Sequence, residues 1–284
     1  MIPAYNEREA VGGVVRALRE ALAGRVRELE ILVVDDGSTD GTAGAARAAE
    51  ATVLAHPVNK GYGQSLLTGI AAARHDWILM IDGDGSYPAS EAVKLLDSAP
   101  AFDMVVGART GAHFWGTGTQ AFLRSVYLAI ASFIVGEPLP DANSGLRLVR
   151  KSMAASTGPV QCLGYSFTTT MTLSFFQAGR FVRFIPIEFA ARTGRSKVKP
   201  VRDILRTLQL MTQVMLAFNP LKLFVTLAAL PAAAGLLLGF GWLCCGSGAT
   251  LIAAVLCAVA ALHCFIAGCV LDSLRMHRPG KTTP

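Results

Sequence analysis

Asp82-Gly83-Asp84 places two carboxylates at alternate positions just past the apolar run Trp77 to Ile81. Carboxylate oxygens so spaced suit a hard divalent cation such as Mg2+ or Mn2+, which usually shares its other positions with substrate phosphates. Solvated turns also combine Asp with Gly, so the pair alone leaves both readings open. A calcium loop of the EF-hand type is excluded, because Tyr87 stands at its glycine position and Val93 at its closing acid. The opposite charge gathers elsewhere. Between Arg180 and Arg206 eight basic residues face only Glu188 and Asp203, and this segment carries the whole net charge of +6. Without aromatic interleaving or a nucleic-acid motif, such a cluster before an apolar region implies attraction to anionic head groups or a lipid phosphate, and nucleic acid is not an expected partner. Five of the six cysteines lie in or beside the apolar C-terminal stretches and Cys162 stands apart, a pattern that matches neither a zinc site nor a disulfide framework.

The elements that must position these groups follow from periodicity. Val11, Val14, Val15, Leu18 and Leu22 mark one face of a helix, and Leu29 to Val34 reads as a strand running into Asp35 and Asp36. Thr52 to Ala55, Trp77 to Ile81 and Met104 to Val106 are further strands, with helices near Gly63 to Ala73 and Ala89 to Leu96 between them. This alternation predicts an α/β domain with a mostly parallel central sheet, and the polar clusters 35–40 and 82–86 fall where such sheets bind ligands, at the carboxyl ends of strands. Few residues precede the Tyr5-Asn6-Glu7 turn, so the first strand is expected to be very short or truncated.

The C-terminal part is of another kind. The chain is 52% hydrophobic and 16% charged, with mean hydropathy +0.44, and no Asp, Glu, Lys or Arg occurs from Leu223 to Leu271. Leu223 to Cys245 and Ala249 to Leu271 are each about 23 residues long, enough to cross a hydrocarbon core of roughly 30 Å, and only Gly246 to Gly248 separates them. A tight transmembrane hairpin is expected. Basic residues flank it on both sides (Lys222 before; Arg275, His277, Arg278 and Lys281 after), which by the positive-inside rule makes both flanks cytoplasmic. No N-terminal signal segment is recognised, so the large domain is expected in the cytoplasm. His263 is expected to hydrogen-bond between helices, and small-residue faces around Gly235 and Gly239 are compatible with a homo-oligomer. Ile204, Leu205, Leu208, Met211, Met215 and Leu216 recur at helical spacing among polar residues, the pattern of an amphipathic helix lying in the membrane interface. The expected organisation is a domain at 1–198, an interfacial helix at 199–220, the hairpin at 221–272 and a basic tail at 273–284.

Four motifs in order, Ile2-Pro3-Ala4-Tyr5-Asn6-Glu7, Val34-Asp35-Asp36-Gly37-Ser38-Thr39-Asp40-Gly41-Thr42, Asn59-Lys60-Gly61-Tyr62-Gly63 and Asp82-Gly83-Asp84, resemble the family 2 glycosyltransferases of the GT-A fold. The resemblance implies that Pro3, Tyr5, Glu7 and Asp36 hold the base and ribose of a nucleotide sugar, that Lys60 lies near the nucleotide, and that Asp82 and Asp84 serve a metal-bound diphosphate. The plainer roles are a helix cap for Asp40 and a turn for Gly61 and Gly63. Downstream, Gly107-Ala108-Arg109, Arg124, the run Asp141 to Arg147, Tyr165 to Thr170 and Arg192-Thr193-Gly194-Arg195-Ser196-Lys197 resemble the polyprenyl-phosphate hexosyltransferases of the dolichyl-phosphate mannose synthase type. That likeness nominates Arg109, Arg124, Arg192, Ser196 and Lys197 for the acceptor phosphate, against a solvated helix residue at Arg124 and a generic membrane-attracting loop at 192–197.

Two positions depart from these relatives: Ser86 stands where some carry a glutamine near the metal, and Ser144 where a subgroup carries an acid viewed as a base. A phosphate acceptor is already anionic near neutral pH, so Asp141 is read as a positioning residue of the catalytic group rather than as a necessary base. The implied activity is inverting, metal-dependent transfer of one hexose, from a UDP-glucose or GDP-mannose type donor, to a polyprenyl phosphate at the cytoplasmic membrane face. Its rivals are a processive polysaccharide synthase, whose Gln-x-x-Arg-Trp signature is absent, and a non-catalytic membrane-anchored binding protein, which would not require the carboxylate pair.

Overall fold

The structure, a computed structural model, describes residues 1–116, 118–155, 166–190 and 200–277. Two units divide the chain, Met1–Leu210 and Met211–Pro284. In chain order the first contains β1 (Ile2–Ala4), α1 (Arg8–Leu22), β2 (Leu32–Asp35), α2 (Thr42–Ala48), β3 (Thr52–Ala55), α3 (Tyr62–Ala72), β4 (Trp77–Met80), α4 (Ala89–Leu96), β5 (Met104–Arg109), α5 (Ala112–Trp115), α6 (Thr119–Val135), β6 (Arg147–Arg150), α7 (Lys151–Ala155), α8 (Phe167–Gln177) and β7 (Val182–Ile187). The division point lies in α9 (Pro200–Phe218).

β1, β2 and β3 pair in parallel, and β4, β6, β5 and β7 form a second group in that order. Met1 joins them: its amino nitrogen donates to the Leu79 carbonyl at 2.7 Å and its carbonyl accepts from Ile81 N at 3.2 Å. The first strand is thus short, three residues, yet fully paired on its β2 side. Strand residues alternate between two apolar layers, as the two-residue pleat demands. Val33, Val105 and Leu148 enter a core with Val11, Val14, Val15 and Leu18 of α1 and Leu95 of α4. Leu32, Met104, Val106 and Val149 enter the other, with Leu66 and Ile70 of α3 and Phe167, Met171 and Phe175 of α8. Each such buried Val or Leu stabilises the layer by about 1.5–3 kcal/mol.

One strand runs against the otherwise parallel pairing. β6 runs antiparallel to both β4 and β5. An antiparallel strand begins at the edge where its parallel neighbours end, so the residues preceding β6, 141–146, arrive at the carboxyl ends of β4 and β5.

α6 is apolar on both faces. Leu128, Ala131 and Ile134 are buried, whereas Phe122, Val126 and Phe133, at helical spacing, form an exposed stripe. In α9 the apolar residues also divide: Leu210, Met211, Val214 and Met215 are buried, and Leu205, Leu208 and Leu216 are exposed.

In the second unit, α10 (Pro220–Cys245) and α11 (Gly248–Met276) pack side by side, and both are long and apolar enough to cross a membrane. Asn219 starts α10 by accepting Lys222 N at 3.0 Å, with Pro220 in the first turn. A Cβ at Gly235 would meet Cys257 Cβ at 3.2 Å, so this glycine serves close packing inside the hairpin, while Gly239 faces open space. His263 Nδ1 pairs with its own helix carbonyl, Val259 O, at 2.7 Å rather than with the neighbouring helix.

Candidate active site

The turns after β1 and β2 interlock. Ser38 Oγ accepts Asn6 N at 2.9 Å and Asn6 Oδ1 accepts Thr39 N at 3.0 Å. Asp40 accepts both Arg8 N (3.1 Å) and Thr42 N (3.0 Å), capping the starts of α1 and α2 together, and its hydrogen bonds hold its carboxyl below the usual range despite partial desolvation. Asp35 is structural too, accepting Ser38 N at 3.1 Å. Gly37 has φ +73°, and a Cβ there would meet the Val58 carbonyl carbon at 2.7 Å, so no side chain fits. Pro3 pairs with Val34 across the strands, and Tyr5 and Glu7 follow at the carboxyl edge, partly buried.

Asp36 is buried, and its carboxylate shapes the next motif. Lys60 N donates to Oδ1 at 2.9 Å and Gly61 N to Oδ2 at 2.7 Å, while His56 Nδ1 stands 2.7 Å from Oδ1. His56 in turn reaches Thr68 Oγ1 at 3.0 Å. Lys60 itself is exposed. The loop thus held presents Tyr62, whose hydroxyl donates to Asp82 Oδ1 at 2.8 Å.

Asp82 and Asp84 follow β4. Asp84 accepts from Ser86 N at 3.0 Å and from Ser86 Oγ at 2.6 Å, so the serine that replaces glutamine here orients an aspartate. Burial, then the neighbouring Asp84 charge, pushes Asp82 up to about 6; Tyr62, Arg109 and Arg147 act the other way. Among the described residues no third His, Cys, Asp or Glu joins the pair. Two neighbouring carboxylates, with the charge on Asp82 resisted by its burial, fit a divalent cation completed by phosphate oxygens.

The turn before β6 closes the site. A Cβ at Gly145 would land on the Asp82 carboxylate, and Gly145 N donates to Tyr87 Oη at 2.7 Å. Arg147, fully buried, donates through Nε and Nη2 to Ser144 O (3.1 and 2.6 Å) and through Nη1 to Thr168 O (3.1 Å), and burial lowers its pKa. Thr168 and Thr169 donate to Asn143 Oδ1, and Thr172 to Ala142 O. The hydroxyl-rich α8 therefore fixes residues 142–144.

Arg109 and Asp141, nominated for separate tasks, form one buried pair: Nε to Oδ2 at 2.7 Å and Nη2 to Oδ1 at 3.0 Å. Asn143 N also donates to Asp141 Oδ1 at 3.1 Å, so this carboxylate is committed to positioning. Asp141 and nearby Tyr87 hold the Arg109 pKa above its ordinary value against desolvation. Phe114 lies within 4.9 Å of the Arg109 guanidinium carbon and 4.4 Å of that of Arg124. Among the described residues Arg124 makes no ion pair; desolvation and the Arg109 charge lower its pKa. A largely apolar cavity of about 300 Å3 opens beside Arg109, lined by Phe114, Trp115, Leu128, Leu139 and Pro186. Arg192, Ser196 and Lys197 lie outside the described residues.

Of the site residues, Tyr62, Asn143 and Arg147 lie within the motifs but were given no role of their own, and His56 and Tyr87 lie outside them. A signal existed for Arg147, a cation at the head of the apolar strand Arg147-Leu148-Val149, which must find buried acceptors.

Residues 1–157 match the family described as Glycosyl transferase family 2. The chain belongs to glycosyltransferase family 2. An undecaprenyl-phosphate mannosyltransferase of Micrococcus luteus is 31% identical over 215 residues, 70% of this chain and 86% of the relative. A polyprenol monophosphomannose synthase of Mycolicibacterium smegmatis is 29% identical over 226 residues, 70% and 79% of the two chains. The fold is shared with glucosyl-3-phosphoglycerate synthase from Mycobacterium tuberculosis, solved with Mn2+, UDP-glucose and phosphoglyceric acid (TM-score 0.59, 20% identity, 75% of this chain and 77% of that one). In this glycosyltransferase the GT-A-like domain therefore precedes two long apolar helices.

Proposed function

We propose that this glycosyltransferase moves a single hexose, with inversion, from a nucleotide sugar to a polyprenyl phosphate at the cytoplasmic face of a membrane. The observation that carries this reading is the gathering, at one sheet edge, of a carboxylate pair and an arginine pair, in a chain with two candidate spans. The relatives' names support the acceptor, and the exposed stripe of α6, on the helix that carries Arg124, supports its delivery from a lipid surface.

Pro3, Tyr5 and Glu7 would wall the base and ribose, with Lys60 near the nucleotide and Asp36 holding the loop in place through Lys60 N and Gly61 N. Asp82 and Asp84 would hold Mg2+ or Mn2+, which when bound neutralises the departing diphosphate. Arg109 and Arg124, joined by Arg192, Ser196 and Lys197, would hold the acceptor phosphate against repulsion from the donor. An acceptor phosphate oxygen attacks the anomeric carbon as the bond to the nucleoside diphosphate breaks, which inverts that centre. The attacking oxygen needs no base, consistent with an Asp141 engaged by Arg109.

Purified full-length protein with Mn2+ or Mg2+, a short polyprenyl phosphate and radiolabelled nucleotide sugars tests this. Label entering organic solvent, dependent on lipid and metal and carrying one sugar, is the expected result. A long glycan would indicate a polymerase, and donor binding without turnover would indicate a binding protein.

A further inference from the structure

Tyr62 is the first residue of α3, and both backbone nitrogens before it, Lys60 N and Gly61 N, are bound by the buried Asp36 carboxylate. Its hydroxyl is thereby delivered from an anchored loop to Asp82 Oδ1, 20 residues away in sequence. The ring packs against the apolar layer of α3 and α8, so the side chain has little freedom to turn elsewhere. Gly145 also abuts the Asp82 carboxylate and leaves no room there for a side chain. Asp84 is held in a similar way by the hydroxyl of Ser86.

We propose that Tyr62 is a positioning residue for the divalent cation: its donated hydrogen bond fixes the Asp82 carboxylate and ties it to the loop that Asp36 shapes for the donor. The inference rests on the reading that Asp82 and Asp84 bind the metal. Partners of ligating carboxylates characteristically set metal affinity, and their loss costs roughly 10- to 100-fold. Tyr62→Phe removes one oxygen atom and keeps the ring, so the packing of α3 is preserved.

Full-length protein, stripped with chelator and returned to detergent buffer, is titrated with Mn2+ alone while free Mn2+ is followed by electron paramagnetic resonance. Wild type, Tyr62→Phe, Asp82→Asn and the double variant are compared, with circular dichroism and Tm recorded for each. Tyr62→Phe is expected to raise the Mn2+ Kd about tenfold with its circular dichroism spectrum unchanged and only a small fall in Tm from the lost hydrogen bond, and to add nothing to the Kd in the Asp82→Asn background. A Mn2+ Kd within about twofold of wild type overturns the role of Tyr62 and leaves the metal assignment standing. If wild type binds Mn2+ no better than Asp82→Asn, the metal assignment itself falls, and this inference with it. A parallel activity titration should show the metal KM rising more than kcat falls.

Discussion

Asp82→Asn separates what the site gains in function from what it costs in stability. The folded protein resists ionisation of Asp82, whose pKa rises from 3.8 to about 6 through burial and the Asp84 charge. The sign follows from linkage: the penalty is absent below the ordinary value, 3.8, grows as pH rises and is complete above about 6. Some 2 pH units at 1.36 kcal/mol each make it about 3 kcal/mol at pH 8. Asparagine keeps an oxygen to accept from Tyr62 and removes the charge. In chelator at pH 8 the variant should therefore unfold later than wild type, by about 6–12 °C for a domain of this size. The gain should shrink as pH falls through 6 and vanish near 4. Tryptophan fluorescence follows the transition, with Trp77 and Trp115 in the first unit and Trp242 in α10. Saturating Mn2+ should reverse the order, because wild type alone gains the binding energy. An Asp82→Asn protein no more stable than wild type at pH 8, or one whose gain ignores pH, would refute the electrostatic account.

Removing Asp141 alone strands the buried Arg109 guanidinium, so Asp141→Ala should cost about 3–5 kcal/mol by thermal unfolding, whereas Arg109→Met with Asp141→Leu should recover most of that stability without activity. Arg124→Ala should raise the KM for polyprenyl phosphate roughly 10- to 100-fold, with donor hydrolysis unchanged, as expected for one charged phosphate contact. Gly145→Ala drives a methyl group into the Asp82 carboxylate; steady-state kinetics should show kcat falling and the metal KM rising. Phe122→Ser with Phe133→Ser should slow turnover of acceptor embedded in vesicles and spare a short acceptor free in solution, because these side chains are exposed and support no core.

Much of this protein was legible without coordinates because the signals are local. The two long apolar helices declare themselves by length and lack of charge, and α1, α3 and α4 by periodicity. Asp82 and Asp84 were marked by their place after an apolar strand. Asp40 and the Gly61 turn also took the local roles that their residue types implied. What tertiary structure decided is which partner each polar group meets. Asp36 spends its carboxylate on backbone 24 and 25 residues away, Tyr62 meets Asp82, and Tyr87 meets Gly145 N across 58 residues. Arg109 and Asp141, nominated separately as an acceptor-phosphate ligand and a positioning residue, form one ion pair. The antiparallel sense of β6 underlies the last two, since it brings residues 141–145 to the edge where β4 and β5 end. Residue type and spacing set what a side chain can donate or accept; only the paths of distant strands determine which groups lie within hydrogen-bonding reach, where burial makes pairing obligatory.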